Sequence, residues 1–266
     1  MGKLYFEING GLGNQLFQIA NAFAFAKKYE TAVVFDTRGC DSGDNFHSSW
    51  HLQILVDLLR LDINCKTRRS NSYALIKKRQ LHDFFFKKKY IEKSEIEEIY
   101  KGGISKKLDY FFPVIENRFI AKEAMRFGFN NCIENLKNYL GRENLYGPKI
   151  PMTAGIHLRR SDRKNTELEI PDSWFLSQIR ISQPEIDQIV CFTDSRNDAE
   201  FLKSTGIPVE IHGEELDPLI ALLSLSEFDK IYISNSTFSF WASTLGKKKE
   251  VISPLEAGNP LRPLTS

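Results

Sequence analysis

The stretch KLYFEINGGLGNQLFQIANAFAFAKKY, residues 3–29, passes from a strand-like segment into a helix-like one through a loop with three glycines. Residues 4–8 are β-forming, residues 15–29 repeat apolar side chains at helical spacing, and residues 31–36 have the composition of a second strand. A β–loop–α–β unit is therefore predicted, which is typical of a mostly parallel sheet. The loop has more glycine than a turn requires, which favours close approach of a ligand to its backbone.

The same alternation returns near residue 153. It predicts strands at 153–158, 188–193, 209–212, 230–234 and 250–253, and helices at 172–182, 197–204, 217–226 and 237–245. The predicted class is α/β, with two Rossmann-like halves facing a central cleft. A linker with glycine and proline at 141–151 separates residues 1–145 from residues 146–266. Residues 37–145 contain aromatic clusters and amphipathic stretches such as 121–140, and helices joined by long loops are predicted there.

The low net charge of the chain disfavours nucleic acid as a partner. The formal net charge of the 266-residue chain is only +2, which gives no support to nucleic-acid binding. Basic residues nevertheless cluster at 77–79, 87–89 and 247–249. Such runs are typical of solvated faces, and they also suit an anionic substrate or the headgroups of a membrane surface.

Cysteine usage and hydropathy bear on the compartment. Four scattered cysteines with no C-x-x-C pair favour free thiols in a reducing cytosol. No apolar run approaches the roughly 20 residues that cross a bilayer, and the N-terminus lacks the apolar segment of a secretion signal. We therefore expect a cytoplasmic protein, with peripheral contact to the inner face of the cytoplasmic membrane as its closest approach to lipid. The pattern does not indicate an oligomeric state.

The glycine loop is the first predicted ligand site. Gly11, Gly13, Asn14 and Gln15 surround a helix start, where N–H groups and the helix dipole favour an anion. Leu16 stands where the dinucleotide pattern G-x-G-x-x-G requires its third glycine, which disfavours an oxidoreductase. An N-cap role for Asn14 is the structural alternative.

The second predicted ligand site is the stretch GIHLRRSDRKNTELE, residues 155–169. A strand end delivers His157, Arg159, Arg160 and Asp162 to the edge at which open α/β sheets bind ligands. Adjacent arginines there indicate an anionic partner, and the planar guanidinium suits phosphate oxygens. Surface ion pairing with Asp162 is the alternative.

Two further strand ends carry polar side chains. Ser234, Asn235, Ser236 and Thr237 lie between a strand and a helix and predict a second anion site, although an ordinary helix cap would use one of these hydroxyls. Asp194 ends another strand, where its carboxylate suits either the N–H groups of a purine such as guanine or a helix cap. No D-x-D motif is present to hold a metal ion with a diphosphate. Arginines and helix starts are therefore expected to stabilise a leaving group without metal or cofactor.

The segments GGLGNQLFQIA, HLRRSD and SNSTFSFW together resemble the α-1,2-fucosyltransferases of glycosyltransferase family 11. The H-x-R-R-x-D pattern also resembles the α-1,6- and protein O-fucosyltransferases. Order and spacing agree over most of the chain, except its middle third. Ser161, Arg163, Phe240, Ala242 and Thr244 depart from the common pattern, which leaves the sugar and the acceptor open.

The resemblance implies a GT-B-like fold and an inverting, metal-independent transfer of L-fucose from GDP-fucose to a galactoside hydroxyl in α-1,2 linkage. It implies an N-terminal acceptor-side domain, a C-terminal nucleotide-sugar domain, and an oligosaccharide or lipid-linked glycan acceptor of the O-antigen or capsule kind. Arg159 and Arg160 would hold the diphosphate, and His157 and Asp194 would lie at the nucleoside and guanine. The remaining implied donor contacts are Gly11, Gly13, Asn14, Gln15, Ser234, Asn235, Ser236 and Thr237.

Catalytic roles also follow from the resemblance. The α-1,6 enzymes carry a glutamate ten positions after the motif histidine, which makes Glu167 the implied base. Asp162 would orient an arginine, so the implied catalytic set is Arg159, Arg160, Asp162 and Glu167. A transferase with another GDP-sugar or linkage, and a non-catalytic protein that binds GDP or a phosphorylated glycan, remain alternatives.

Overall fold

The computed structural model describes residues 2–37, 40, 52–68, 88–105, 108–113, 117–246, 250–254 and 259. They form two compact units, Met1–Leu136 and Lys137–Ser266. The described residues of each unit contain one five-stranded sheet in which every strand pair is parallel. The basic runs at 77–79 and 247–249, and the first lysine of the run at 87–89, lie outside the described residues.

The first unit has the strand order β3-β2-β1-β5-β4. Its strands are β1 Leu4–Glu7, β2 Val33–Asp36, β3 Cys65–Arg68, β4 Lys88–Tyr90 and β5 Asp109–Phe112. Its helices are α1 Leu12–Tyr29, α2 Gln53–Leu59, α3 Ile96–Gly102, α4 Arg118–Arg126 and α5 Phe129–Leu140, the last of which ends beyond the division between the units. Its core includes Phe6 of β1, which stacks on Phe112 of β5 with ring centroids 4.4 Å apart.

The middle of the chain contains helices, as predicted, and also three strands that were not predicted. Residues 37–145 were predicted to form helices joined by long loops, yet they contribute β3, β4 and β5 to the first sheet. These strands have three or four residues each, and β3 and β4 are rich in Lys and Arg. Such short, charged strands are typical of sheet edges, and they show no apolar alternation.

The second unit has the strand order β10-β9-β6-β7-β8. Its strands are β6 Thr153–Leu158, β7 Gln188–Thr193, β8 Val209–His212, β9 Lys230–Tyr232 and β10 Glu250–Ile252. Its helices are α6 Asp172–Ser182, α7 Pro218–Leu225 and α8 Thr237–Thr244, and 3-10 segments lie at Arg142–Asn144, Gln183–Glu185 and Asn197–Thr205. The predicted strands and helices of this unit are confirmed, except that residues 197–205 form a 3-10 helix.

Strand β6 is the centre of the second sheet. All six of its residues are buried, and it pairs with β7 on one side and β9 on the other. Gly155 allows Leu225, at the end of α7, and Phe228 to pack closely against the strand, because a Cβ there would lie 2.8 Å from Leu225 Cδ1 and 2.9 Å from Phe228 Cγ. The packing around this glycine fixes the strand that leads into the two arginines.

Each sheet has a point where the strand order reverses. The second sheet extends from β6 through β7 to β8, and the chain then crosses back to place β9 on the other side of β6. In the first sheet the chain runs from β1 through β2 to β3 and then crosses to β4 at the opposite edge, with β5 between β4 and β1. Ligands of open α/β sheets bind beyond the carboxyl ends of the strands at such points. The glycine loop follows β1 and the arginine pair follows β6, so each lies at the switch point of its own sheet.

Two findings concern the cysteines and the membrane. Cys40, Cys65, Cys132 and Cys191 are buried and free, which confirms the predicted free thiols. Burial raises the pKa of Cys65 to about 11, so this thiol is protonated at neutral pH. In the part of the chain that the structure describes, no helix combines the length and apolarity needed to span a bilayer.

Candidate functional site

Polar residues from three neighbouring strands meet at one edge of the second sheet. His157 is the last residue but one of β6, which is followed by Arg159 and Arg160; Asp194 follows β7, and Ser234 lies just beyond β9. We call residues 157–162, 194 and 234–239 the carboxyl-edge site. The structure thus brings together the predicted residues that follow these three strands, whereas Glu167 lies on the loop beyond them.

Two side chains brace the backbone where β6 leaves the sheet. Ser234 Oγ accepts from the Arg159 N–H at 3.1 Å and donates to the His157 carbonyl at 2.8 Å. Asp194 accepts from the Arg160 N–H at 2.6 Å and from Ser161 Oγ at 2.7 Å. Asp194 therefore joins two strand ends and caps no helix here. A guanine contact by its remaining lone pairs stays a prediction.

Arg159 is the more accessible arginine. Its Nε and Nη2 donate to the two oxygens of Asp162 at 2.7 and 2.8 Å, which is the fork-to-fork geometry of a strong guanidinium–carboxylate pair. The hydrogen bond with Asp162 raises the pKa of Arg159, and the same bond lowers the pKa of Asp162. The Arg159 side chain is nevertheless 24% exposed, so Asp162 orients the guanidinium without enclosing it.

Arg160 points into the protein. Its side chain is 2% exposed, and its Nη1 donates to the Ile170 carbonyl at 2.5 Å and to Glu169 at 3.2 Å, while its Nη2 bonds to Asp172. This arrangement differs from the predicted contact with a diphosphate, because the guanidinium is already surrounded by internal acceptors. Arg160 anchors the chain between β6 and α6.

His157 is buried and tightly held. Its Nδ1 lies 2.6 Å from Ser239 Oγ, and its ring stacks on Phe238 with centroids 4.6 Å apart. Burial lowers the pKa of His157 to about 4, although the nearby Asp194 carboxylate acts to raise it and Arg159 acts to lower it further. The imidazole is therefore neutral at physiological pH.

The start of α8 forms the other side of the site. Ser236 is its N-cap and accepts from the Ser239 N–H at 3.0 Å, while Asn235 and Thr237 are half-buried. The first N–H groups of a helix have no intrahelical partner, and the helix dipole makes this end attractive to anions. One hydroxyl thus serves the ordinary capping role, and anion binding at this helix start stays a prediction.

Glu167 lies on the turn-rich segment 161–168 and is exposed. The segment is fixed at its beginning, where the Arg163 and Lys164 N–H groups donate to the Arg160 carbonyl at 2.9 and 2.7 Å. It is fixed at its end by the contacts of Arg160 with Glu169 and Ile170. The Glu167 carboxylate is accordingly accessible on an anchored loop.

The glycine loop belongs to the first unit. Helix α1 begins at Leu12 with Gly11 as its N-cap and no side-chain cap, so Asn14 lies in the first turn and is not the N-cap. Gln15 is buried and donates to the Gly10 carbonyl at 2.9 Å, which differs from its predicted contact with a ligand. Gly10 has φ 78°, a conformation that favours glycine. The ligand contacts of Gly11, Gly13 and Asn14 stay predictions.

Several residues of the site escaped the sequence interpretation. Ser239 contacts His157, Glu169 and Asp172 hold Arg160, and Ser161 supports Asp194. Ser239 follows the N-cap Ser236 by three residues, a spacing that places both near the same end of one helix. The carboxylates follow Arg160 by nine and twelve residues, and no local spacing rule connects them.

A cavity of about 540 Å³ lies at the opposite, amino-terminal edge of the same sheet. Lys230 in its lining pairs with Glu185 at 2.7 Å and Glu250 at 3.1 Å, so its positive charge is balanced internally. Among the described residues, no group of three or more His, Cys, Asp or Glu side chains is arranged to hold a metal ion. The residues of this unit that were predicted to bind phosphate thus lie at the carboxyl edge of the sheet and do not line this cavity.

Comparison with known proteins identifies the fold. No family model and no curated protein matches the chain. The crystal structure of POFUT1 in complex with GDP-fucose superposes with a TM-score of 0.52 and 11% identity over 95% of this chain and 97% of that one. Fucosyltransferase NodZ from Bradyrhizobium gives a TM-score of 0.53 and 14% identity over 92% of each chain. NodZ α-1,6-fucosyltransferase co-crystallised with GDP gives 0.50 and 15% over the same shares. The predicted α/β fold of GT-B type is therefore confirmed.

The neutral state of His157 predicts a loss of stability in acid. An unfolded histidine binds a proton below pH about 6.5, whereas folded His157 does so only near pH 4. Between these values protonation stabilises the unfolded state alone. The stability that the neutral ring permits is therefore present above pH 6.5 and is lost as the pH falls toward 4. Between pH 7 and pH 5 the free energy of unfolding should fall by about 2 kcal/mol more in the parent than in His157→Gln. Urea unfolding at both pH values measures this difference, and equal pH dependence of the two proteins would contradict it.

The two arginines should differ in their effect on stability. Arg160→Ala leaves Glu169, Asp172 and the Ile170 carbonyl without their cation and should lower the free energy of unfolding by about 3 kcal/mol. Arg159→Ala removes a partly exposed pair and should cost less than about 1 kcal/mol. Denaturant unfolding of the two variants compares them directly. Similar losses in both would show that the difference in burial has no energetic consequence.

Proposed function

We propose that this chain is an inverting, metal-independent fucosyltransferase that transfers L-fucose from GDP-fucose to a galactoside hydroxyl in α-1,2 linkage. One observation carries the proposal: the partly exposed Arg159 guanidinium follows β6 next to the strand end that leads into α8. A fixed cation and a helix start on adjacent strand ends suit a diphosphate. The proposal assigns donor binding to residues 146–266.

The fold neighbours support this choice of ligand. POFUT1 was crystallised with GDP-fucose and NodZ with GDP. Ser234 ties the Arg159 N–H to the strand end beside α8, so the cation and the helix start are held by one hydrogen-bond bridge. Preorganised charge of this kind needs no rearrangement when negative charge develops on a leaving group.

The proposed reaction is a single displacement. An acceptor hydroxyl oxygen forms a bond to the anomeric carbon of fucose from the face opposite the diphosphate, the bond from that carbon to the phosphate oxygen breaks, and GDP leaves. Arg159 and the start of α8 stabilise the charge that the diphosphate gains. Glu167 takes the proton of the acceptor hydroxyl, a role that needs an accessible carboxylate.

Arg160 has an indirect role in this proposal. Its buried contacts with Ile170 and Glu169 hold the end of the segment that carries Glu167. Of the two arginines, we therefore assign diphosphate contact only to Arg159 and give Arg160 the positioning of the loop. The resemblance in sequence carries the finer assignments: the α-1,2 linkage and the oligosaccharide or lipid-linked acceptor.

The direct test is GDP release from GDP-fucose across a panel of β-galactoside acceptors with EDTA present. We expect release that depends on the acceptor. Glu167→Gln should lower kcat by about 100-fold or more while the affinity for GDP is kept, because the variant cannot accept the proton. Glu143→Gln changes an exposed carboxylate on the 3-10 segment Arg142–Asn144 and should keep the parent rate.

Each contrary outcome identifies the part that fails. Turnover of a different GDP-sugar alone would overturn the assignment of fucose. GDP binding without turnover on any acceptor would favour the non-catalytic binding protein. A requirement for added divalent cation would contradict the metal-independent reaction, and loss of GDP affinity in Glu167→Gln would make this residue part of the binding site.

A further inference from the structure

The two ring nitrogens of His157 have different surroundings. Its Nδ1 faces two serine hydroxyls, with Ser239 Oγ at 2.6 Å and Ser236 Oγ at 3.5 Å. Its Nε2 has no hydrogen-bond partner among the described residues. Stacking on Phe238 restricts the ring, so the orientation of both nitrogens is fixed by the start of α8.

The buried hydroxyl of Ser239 decides which nitrogen carries the proton. Ser239 is fully buried, and among the described residues Nδ1 is the acceptor within reach of its hydroxyl hydrogen. A proton on Nδ1 would leave that hydroxyl hydrogen buried without an acceptor, which costs more than an ordinary hydrogen bond gains. Ser236 Oγ lies farther from Nδ1, at 3.5 Å, and already accepts from the Ser239 N–H, so Ser239 is the close donor to the single lone pair of Nδ1. The arrangement that gives the Ser239 hydroxyl an acceptor therefore has Nδ1 unprotonated and the proton on Nε2, where it is available to a ligand.

We propose that Ser239 is a positioning residue that holds His157 in the Nε2–H tautomer, so that the imidazole donates a hydrogen bond to an oxygen of the nucleoside diphosphate. The inference rests on the proposed function for the identity of the ligand. Burial keeps the ring neutral, so His157 offers a directed donor and not a second cation. Arg159 then supplies a positive charge to the ligand, and His157 supplies an oriented hydrogen-bond donor at the same strand end.

The ring nitrogens can be observed directly in the free protein. Nitrogen-15 spectra of the histidine rings between pH 5 and pH 8 should show His157 neutral, with the proton on Nε2 throughout. Addition of GDP should shift the Nε2–H signal as this group becomes a donor to the ligand. A proton on Nδ1 in the parent would overturn the inference, and this measurement needs no variant.

Ser239→Ala tests the positioning role. Without the hydroxyl, Nδ1 loses its close donor, and we expect a mixture of both tautomers together with a dissociation constant for GDP raised about fivefold. Ser243→Ala is the matched control, because Ser243 is equally buried on α8 but donates to the Phe240 carbonyl at 2.9 Å. This control should keep both the parent spectrum and the parent affinity.

The outcomes separate this inference from the proposed function. Parent-like affinity for GDP in Ser239→Ala would overturn the positioning role while the GDP site stands. Equal weakening in Ser239→Ala and Ser243→Ala would show a general effect of α8 packing and would also overturn it. Failure of the parent to bind GDP would overturn the proposed function and the ligand contact, while the spectrum of the free protein would still decide the tautomer.

Discussion

The backbone that leaves the sheet after β6 must find new hydrogen-bond partners, and this requirement shapes the whole site. The partners come from the ends of the two neighbouring strands: Ser234 bridges the His157 carbonyl and the Arg159 N–H, and Asp194 accepts from the Arg160 N–H. Buried backbone groups that lacked such partners would destabilise the fold. Because both braces act on main-chain atoms, they set the directions of two consecutive side chains.

The two braced backbone positions direct the adjacent arginines to opposite environments. Arg160 turns inward and meets acceptors of the segment that leads into α6, whereas Arg159 remains partly exposed beside Asp162. A buried guanidinium requires complete pairing, and an exposed one keeps capacity for an incoming anion. Anchoring and ligand binding therefore fall on adjacent residues. His157 adds a neutral, oriented ring to the same strand end.

Much of the second unit could be predicted from the sequence, because its buried parallel strands are apolar and its helices are periodic. The prediction located the strand ends at Leu158 and Thr193, and so the edge where the polar residues meet. Arg160 was assigned to a phosphate from the sequence. The internal acceptors of this side chain could not be foreseen, because they follow a turn whose path has no local sequence signature. In the first unit, α1 begins earlier than residue 15, since the Gly11 N-cap contributes no side-chain signal.

Hydrogen–deuterium exchange with and without GDP tests the central claim, that a nucleoside diphosphate binds at the carboxyl edge of the second sheet. The account predicts increased protection over residues 159–163 and 235–239, where Arg159 and the start of α8 lie. The amino-terminal edge of the same sheet is the internal control. Protection confined to residues 148–152 and 229–232 around the cavity there, or no change at the carboxyl edge, would contradict the account.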